Sequence, residues 1–222
     1  MSDHHDGRPA GLTWNYDRTE LVADGIVHVV GSVAALFAAF LLIDLALRSA
    51  PLSIVAAVTI YAVTLVAGLA ISAVYNIWPV SRTKWLLRRF DHAAIYGLIA
   101  GTYTPFLVHL GTKAGYIMLA VVWVIALAGA ALKLAKPGRF DRLSIALYLG
   151  LGWSGLVVAQ DMYHVLSTTA ALLLAGGGLV SSIGVVFHVW ENLRFQNAIW
   201  HSFVLVAAGC QYGAVLGGVL PS

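Results

Sequence analysis

The chain has 222 residues, of which 60% are apolar and only 10% are charged, and its mean hydropathy is +0.85. Soluble domains carry roughly 25% charged residues, so this composition excludes a soluble globular protein and predicts an integral membrane protein. The single cysteine, Cys210, excludes an intramolecular disulfide.

Seven apolar segments are each long enough to cross a bilayer, which takes about 20 residues. They predict an all-α, seven-transmembrane helix bundle with spans at 24 to 47, 53 to 76, 91 to 110, 115 to 132, 143 to 159, 165 to 187 and 197 to 219. The predicted organisation is a polar tail over 1–23 and one membrane domain over 24–222. The first apolar run is too long for a cleaved signal, so we expect the first helix to be retained.

The basic residues predict the orientation, because Lys and Arg accumulate on the cytoplasmic side. Arg48 and Lys113 fall on one side, and the other eleven fall on the side of the N-terminus. We therefore expect a cytoplasmic N-terminus and an external C-terminus. Lipid headgroups explain the basic loops, so lipids and not nucleic acids are the expected partners. The eleven are Arg8, Arg18, Arg82, Lys84, Arg88, Arg89, Lys133, Lys136, Arg139, Arg142 and Arg194.

The first and third predicted helices carry ionisable residues near their cytoplasmic ends. Glu20, Asp24 and His28 are spaced by four residues, so they share one helical face. Asp91 stands where the third apolar segment begins. A carboxylate there is a candidate for function, and a favourable interaction with the helix dipole is the alternative explanation.

Chain direction brings further polar residues to the same depth. Ser72 and Asn76 lie at the end of the second predicted helix, and Asn197 and His201 lie at the start of the seventh. Buried polar groups must find partners within a membrane, so we expect one polar cluster between helices one, two, three and seven. A purely structural hydrogen-bond network is the alternative to a functional site.

Four stretches together resemble the hemolysin III proteins, the bacterial branch of the progestin and adipoQ receptor family. They are Ser72-Ala-Val-Tyr-Asn76, the run from Phe90 to Phe106 beginning Phe-Asp-His-Ala-Ala-Ile-Tyr-Gly, the run from Gly178 to Phe187, and Asn197-Ala-Ile-Trp-His-Ser-Phe-Val-Leu205. The resemblance implies seven helices, a cytoplasmic N-terminus and the bacterial inner membrane. It also implies a zinc site built from Ser-x3-His and His-x3-His pairs, with an Asp nearby.

Carried over by position, the resemblance gives catalytic roles to Ser72 and Asp91 and a metal-ligand role to His201. The other two ligand positions hold Asn76 and Asn197, and a carboxamide is a poor ligand for zinc. The zinc site is therefore predicted to be degenerate. Zinc is then either absent or held differently, through His201, Asp91 and His28.

The resemblance supports a role in membrane lipid homeostasis or lipid sensing, with a metal-free polar network, as the leading hypothesis. Zinc-dependent hydrolysis of a lipid amide, as in ceramidases, is the alternative, and a proton or ion path through His28, Asp91 and His201 ranks last. Glycine-rich helix faces, such as Gly209-x3-Gly213-x3-Gly217, allow close helix packing and a possible homo-oligomer.

Overall fold

The structure is a computed structural model, and it describes residues 14–135 and 141–220. Most of the predicted tail lies outside the described residues, as do Arg8, Lys136, Arg139 and the side chain of Arg142. The orientation in the membrane stays a prediction.

The described chain is helical and contains no strand in either described range. Seven of its segments are long and apolar enough to cross a membrane, which confirms the predicted fold class. The fifth span, Leu143–Tyr163, is assembled from three pieces. The elements are α1 (Arg18–Ser49), α2 (Leu52–Ile77), α3 (Arg82–Leu110), α4 (Lys113–Ala135), α5 (Asp141–Trp153), a 3₁₀ segment (Ser154–Val158), α6 (Ala159–Tyr163), α7 (Thr168–Val189) and α8 (Gln196–Gly218).

Two helices, α1 and α3, begin well before the starts that the hydropathy pattern predicts, because polar caps extend them beyond the apolar run. Asp17 caps α1 in a capping box with Glu20, and Ser81 accepts a hydrogen bond from a backbone N–H at the start of α3. The prediction that Asp91 stands at a helix start is therefore wrong. Asp91 lies more than two turns inside α3, so the helix dipole does not account for it.

The fifth span is broken where one continuous helix was predicted. The Tyr103 hydroxyl donates to the carbonyl of Gly152 over 2.5 Å and accepts from the N–H of Gly155 over 2.8 Å. The Trp153 indole N–H donates to Ser182 Oγ on α7 over 3.0 Å. Glycine weakens a helix, and irregular backbone at membrane depth is tolerated where it is buried or lines a cavity.

Small residues let α7 and α8 pack closely. A Cβ added at Gly184 would lie 2.8 Å from Phe203 Cβ, and one added at Gly177 would lie 3.1 Å from the Ala207 carbonyl oxygen. Part of the predicted glycine-mediated packing is thus used within the chain. Association of two chains through glycine-rich faces stays a prediction.

A buried lysine terminates α2. Lys84 is 1% exposed, and its ammonium donates to the carbonyls of Tyr75, Asn76 and Trp78 over 2.8, 3.1 and 2.9 Å. Helix ends leave carbonyls without partners, and Lys84 supplies them with charged donors. The ammonium also lies 4.0 Å from the centre of the Trp14 ring. Lys84 therefore fixes the end of α2 that carries Asn76.

Replacing Lys84 by Met removes the three donors while keeping most of the side-chain volume. We expect Lys84→Met to lower the free energy of unfolding by about 2–4 kcal/mol, since it leaves buried carbonyls without partners. Thermal unfolding in detergent micelles measures the effect. Lys113→Met, at an exposed lysine in the first turn of α4, is the matched control and should be nearly neutral. Equal midpoints for the two variants would contradict this role of Lys84.

Candidate metal centre and cavity

Three ionisable side chains from α1 and α8 meet near the N-terminal ends of both helices. Asp24 and His28 lie one turn apart on α1 and are 4% and 5% exposed, while His201 on α8 is half-buried. One potential ligand atom from each lies within 4.8 Å of the other two. The group is therefore compact enough to hold one metal ion.

The Asp24 carboxylate lies between the two imidazoles. Asp24 Oδ1 lies 2.7 Å from His201 Nδ1, and Asp24 Oδ2 lies 3.6 Å from His28 Nε2. The ring centres of His28 and His201 are 4.2 Å apart. His28 Nε2 is buried and has no hydrogen-bond partner among the described residues. A buried ring nitrogen that makes no hydrogen bond and faces a carboxylate and a second imidazole can serve as a metal ligand.

The donor set also fits a transition metal chemically. Two imidazoles and one carboxylate form the three-ligand set found in catalytic zinc sites, which keep a further position open for water or substrate. The same set suits non-haem iron(II), so the donors alone do not select the metal. The residues present fit a first-row transition ion.

The two amides at the predicted ligand positions bind to their neighbours. Asn197 Nδ2 donates to Asp24 Oδ2 and to Asn76 Oδ1, both over 2.9 Å. Asn76 Nδ2 in turn donates to the Ser72 carbonyl over 3.0 Å and lies 3.4 Å from Ser72 Oγ. The chain of contacts runs from Asp24 across α8 to α2, so Asn197 holds the Asp24 carboxylate and Asn76 holds Asn197.

Asp91 lies beside this chain and outside the three-residue cluster. Its carboxylate interacts with the Ser72 hydroxyl and lies in the electrostatic field of His201, His28 and Arg88. Ser72, Asp91 and His201 line the same cavity. Asp91 is thus placed to act on a molecule bound near the cluster without being part of it.

Glu20 has a different role from Asp24, the other acid on its helix face. Its Oε1 accepts a hydrogen bond from the Phe195 N–H over 2.8 Å, and its Oε2 accepts one from the Asp17 N–H over 2.9 Å. Phe195 has φ 59°, the left-handed region that costs free energy for a bulky side chain. Glu20 therefore holds the turn that starts α8 and sets the position of Asn197 and His201.

The segment before α1 covers this end of the bundle. The Tyr16 hydroxyl donates to Gln196 Oε1 over 3.0 Å, and Gln196 Nε2 donates to the His188 carbonyl over 2.9 Å. Burial raises the pKa of Tyr16 to about 12, so the phenol stays a neutral donor at physiological pH. Hydrogen bonding from the Thr19 side chain lowers the pKa of the exposed Asp17 carboxyl. Sequence reasoning missed Tyr16 and Gln196, because neither carries a charge or falls in a motif.

A large cavity leads away from the cluster. Its volume is about 1420 Å³, and it is lined near the cluster by His28, Asn76 and His201 and further along α8 by Ala208 and Gln211. Small-molecule sites usually enclose about 300–1000 Å³, so this cavity can hold a longer ligand. Its walls are mainly apolar between the polar groups.

The comparisons with known proteins agree with this architecture. A family model described as "Haemolysin-III related" matches residues 17–212. The chain is 35% identical to "Hemolysin-3" of Bacillus cereus over 204 residues, which cover 91% of this chain and 93% of that protein. The chain belongs to the hemolysin III family. The "Hemolysin-3 homolog" of Bacillus subtilis is similar to the same degree, at 35% identity with 89% and 93% of the two chains covered.

The hemolysin III family likeness extends to animal proteins. "Monocyte to macrophage differentiation factor" of Homo sapiens is 32% identical over 164 residues, which cover 70% of this chain and 67% of that protein. The seven spans and this membership make the chain a multi-pass membrane protein.

The predicted polar residues lie close together in the structure, but they make different contacts. Asp24, His28, Asn76, Asn197 and His201 meet directly, and Asp91 and Ser72 form a neighbouring pair. The sequence-based prediction included Asp24 only as one acid on a helix face. The usable signal was its spacing of four residues from His28, which places a carboxylate and an imidazole side by side.

Asn197 joins α1, α2 and α8, so its removal tests the network. We expect Asn197→Leu to lower the free energy of unfolding by about 1–3 kcal/mol, because Asp24 Oδ2 and Asn76 Oδ1 both lose a donor. Thermal unfolding in detergent measures it. The same change at the exposed Asn192 is the control and should be nearly neutral. A neutral Asn197→Leu would show that the hydrogen bonds contribute little to stability.

Proposed function

We propose that this hemolysin III family member binds a membrane lipid in its central cavity and hydrolyses an amide or ester bond of that lipid at a metal held by Asp24, His28 and His201. The observation that carries the proposal is the compact group of two imidazoles and one carboxylate at the polar end of the cavity. We place the protein in the bacterial inner membrane, with this end of the bundle toward the cytoplasm.

In this reaction the residues around the cluster would have separate roles. Zinc or a related ion would supply Lewis acidity, which polarises a carbonyl and makes an attacking water more acidic. The Asp91 carboxylate would accept the proton of that water as a general base, oriented by the Ser72 hydroxyl. Asn197 would hold Asp24 Oδ2 and so keep Oδ1 directed toward His201.

The shape of the cavity supports a lipid as the substrate. Its polar groups near the cluster come from α1, α2, α3 and α8, and apolar side chains such as Val204 and Leu205 follow along α8. An amphiphile would place its head at the cluster and its chain along the apolar walls. Binding and hydrolysis of a membrane lipid in this cavity would also contribute to membrane lipid homeostasis.

A metal-free lipid sensor is the second candidate function. The observation that favours it is the double hydrogen bond of Asn197 to Asp24 and Asn76, which satisfies these polar groups without an ion. In that case the histidine pair would stabilise the buried carboxylate, and lipid binding without turnover would be the function.

Metal content separates the two candidates. We expect protein purified in detergent without chelator to carry about one transition ion per chain, measured by plasma mass spectrometry. His28→Gln and His201→Gln should each weaken binding at least about 100-fold, more than the loss typical of residues that only support a ligand. His164→Gln, at an exposed histidine, is the matched control. A metal-free parent would overturn the metal site and favour the sensor.

The role of Asp91 is tested by turnover. We expect Asp91→Asn to retain the metal and to lower kcat for a fluorescent long-chain N-acyl amide lipid by about 10²–10⁴, the contribution of a general base. Asp44→Asn, near the opposite end of α1 and outside the cavity lining, should leave kcat unchanged. A metal-loaded parent that hydrolyses neither amide nor ester lipids would contradict the enzyme.

A further inference from the structure

A polar side chain that makes no hydrogen bond to any described residue lines the cavity far from the group formed by Asp24, His28 and His201. Gln211 on α8 is half-buried and lines the cavity, and its carboxamide makes no hydrogen bond to any residue that the structure describes. A polar group in the hydrocarbon region has no bulk water to bond, so such groups normally find partners inside the protein. The free carboxamide calls for a partner inside the cavity.

The packing around Gln211 fixes its level in the bundle. A Cβ added at Gly177 of α7 would lie 3.2 Å from Gln211 Cγ, so the stem of Gln211 lies close against this glycine. A Cβ added at the next residue, Gly178, would lie 3.6 Å from the Trp153 ring. Gln211 is therefore at the depth of the break in the fifth span, where the irregular backbone also lines the cavity.

The distance from the metal cluster follows from the helix that carries both. Gln211 is ten residues after His201 on α8, which corresponds to about 15 Å along the axis at 1.5 Å per residue. The cavity-lining residues between them on α8 are the apolar Val204, Leu205, Ala207 and Ala208. The wall thus presents a polar cluster, an apolar stretch and a second polar group.

We propose that Gln211 binds a hydroxyl group part-way along the acyl chain of the cavity ligand, so that the protein prefers hydroxylated over unsubstituted long-chain lipids. The inference rests on the proposed binding of a lipid in this cavity. A carboxamide both donates and accepts, which matches a hydroxyl group. At about 1.2 Å per bond of an extended chain, 15 Å corresponds to ~12 bonds from the group held at the cluster.

The experiment compares two fatty acids that differ only in that hydroxyl. Purified protein in detergent micelles is loaded with a fluorescent fatty acid, and displacement by stearate is compared with displacement by 12-hydroxystearate, whose hydroxyl lies at the ~12-bond distance. We expect the hydroxylated acid to bind about five-fold more tightly, the gain from one hydrogen bond formed in an apolar site.

Two variants assign the preference to Gln211. Gln211→Met keeps the length of the side chain but removes its hydrogen-bonding groups, and the preference should fall below about two-fold. Gln160→Met makes the same substitution at an exposed glutamine that does not line the cavity, and it should keep the preference.

The outcomes separate the inference from the proposed function. Stearate binding without a preference for the hydroxylated acid, or a preference retained in Gln211→Met, rejects the hydroxyl subsite and leaves lipid binding intact. Failure of both fatty acids to displace the probe rejects lipid binding in the cavity and the subsite with it. A preference without any lipid hydrolysis supports the subsite and rejects only the enzyme.

Discussion

The buried carboxylate of Asp24 is the constraint on which this end of the bundle depends. An ionised group in an apolar interior is costly unless charged or hydrogen-bonding partners surround it. The partners of Asp24 come from α1 itself and from α8, and Asn197 extends the contact to α2. Neutralising one carboxylate therefore fixes the relative rotation of three helices.

The remaining contacts at this end keep those partners in place. Glu20 bonds to the turn before α8, and Lys84 bonds to the carbonyls that end α2. Both are charged side chains that bind backbone groups, so each sets the position of a helix terminus rather than of another side chain. Asn76 and Asn197 stand close to these termini, which explains how short amide side chains can bridge separate helices with 2.9 Å hydrogen bonds.

The sequence predicted the spans and the meeting of polar residues, because apolar run lengths and chain direction suffice for both. It could not predict the starts of α1 and α3, which polar caps determine, or the break after Trp153, which depends on Tyr103 from another helix. The sequence also could not predict that Asp24 lies at the centre of the cluster. Spacing places Asp24 beside His28, but only the rotation of α1 against α8 decides which of its acids meets His201.

Two of the cavity-lining polar groups that make no hydrogen bond to a described residue lie at different levels of the bundle. One is His28 Nε2 at the cluster, and the other is the Gln211 carboxamide about 15 Å along α8 from His201. Unsatisfied polar groups reduce stability, and proteins tolerate them mainly where function requires them. Bulk water is absent from the bilayer core and cannot bond to these groups. Each group therefore favours binding of a ligand that supplies a matching polar group or metal ion. A metal suits the ring nitrogen, and a hydroxyl suits the carboxamide. Apolar side chains of α8 line the cavity between the cluster and Gln211. A ligand that binds at both places must therefore be long and must carry polar groups at two points.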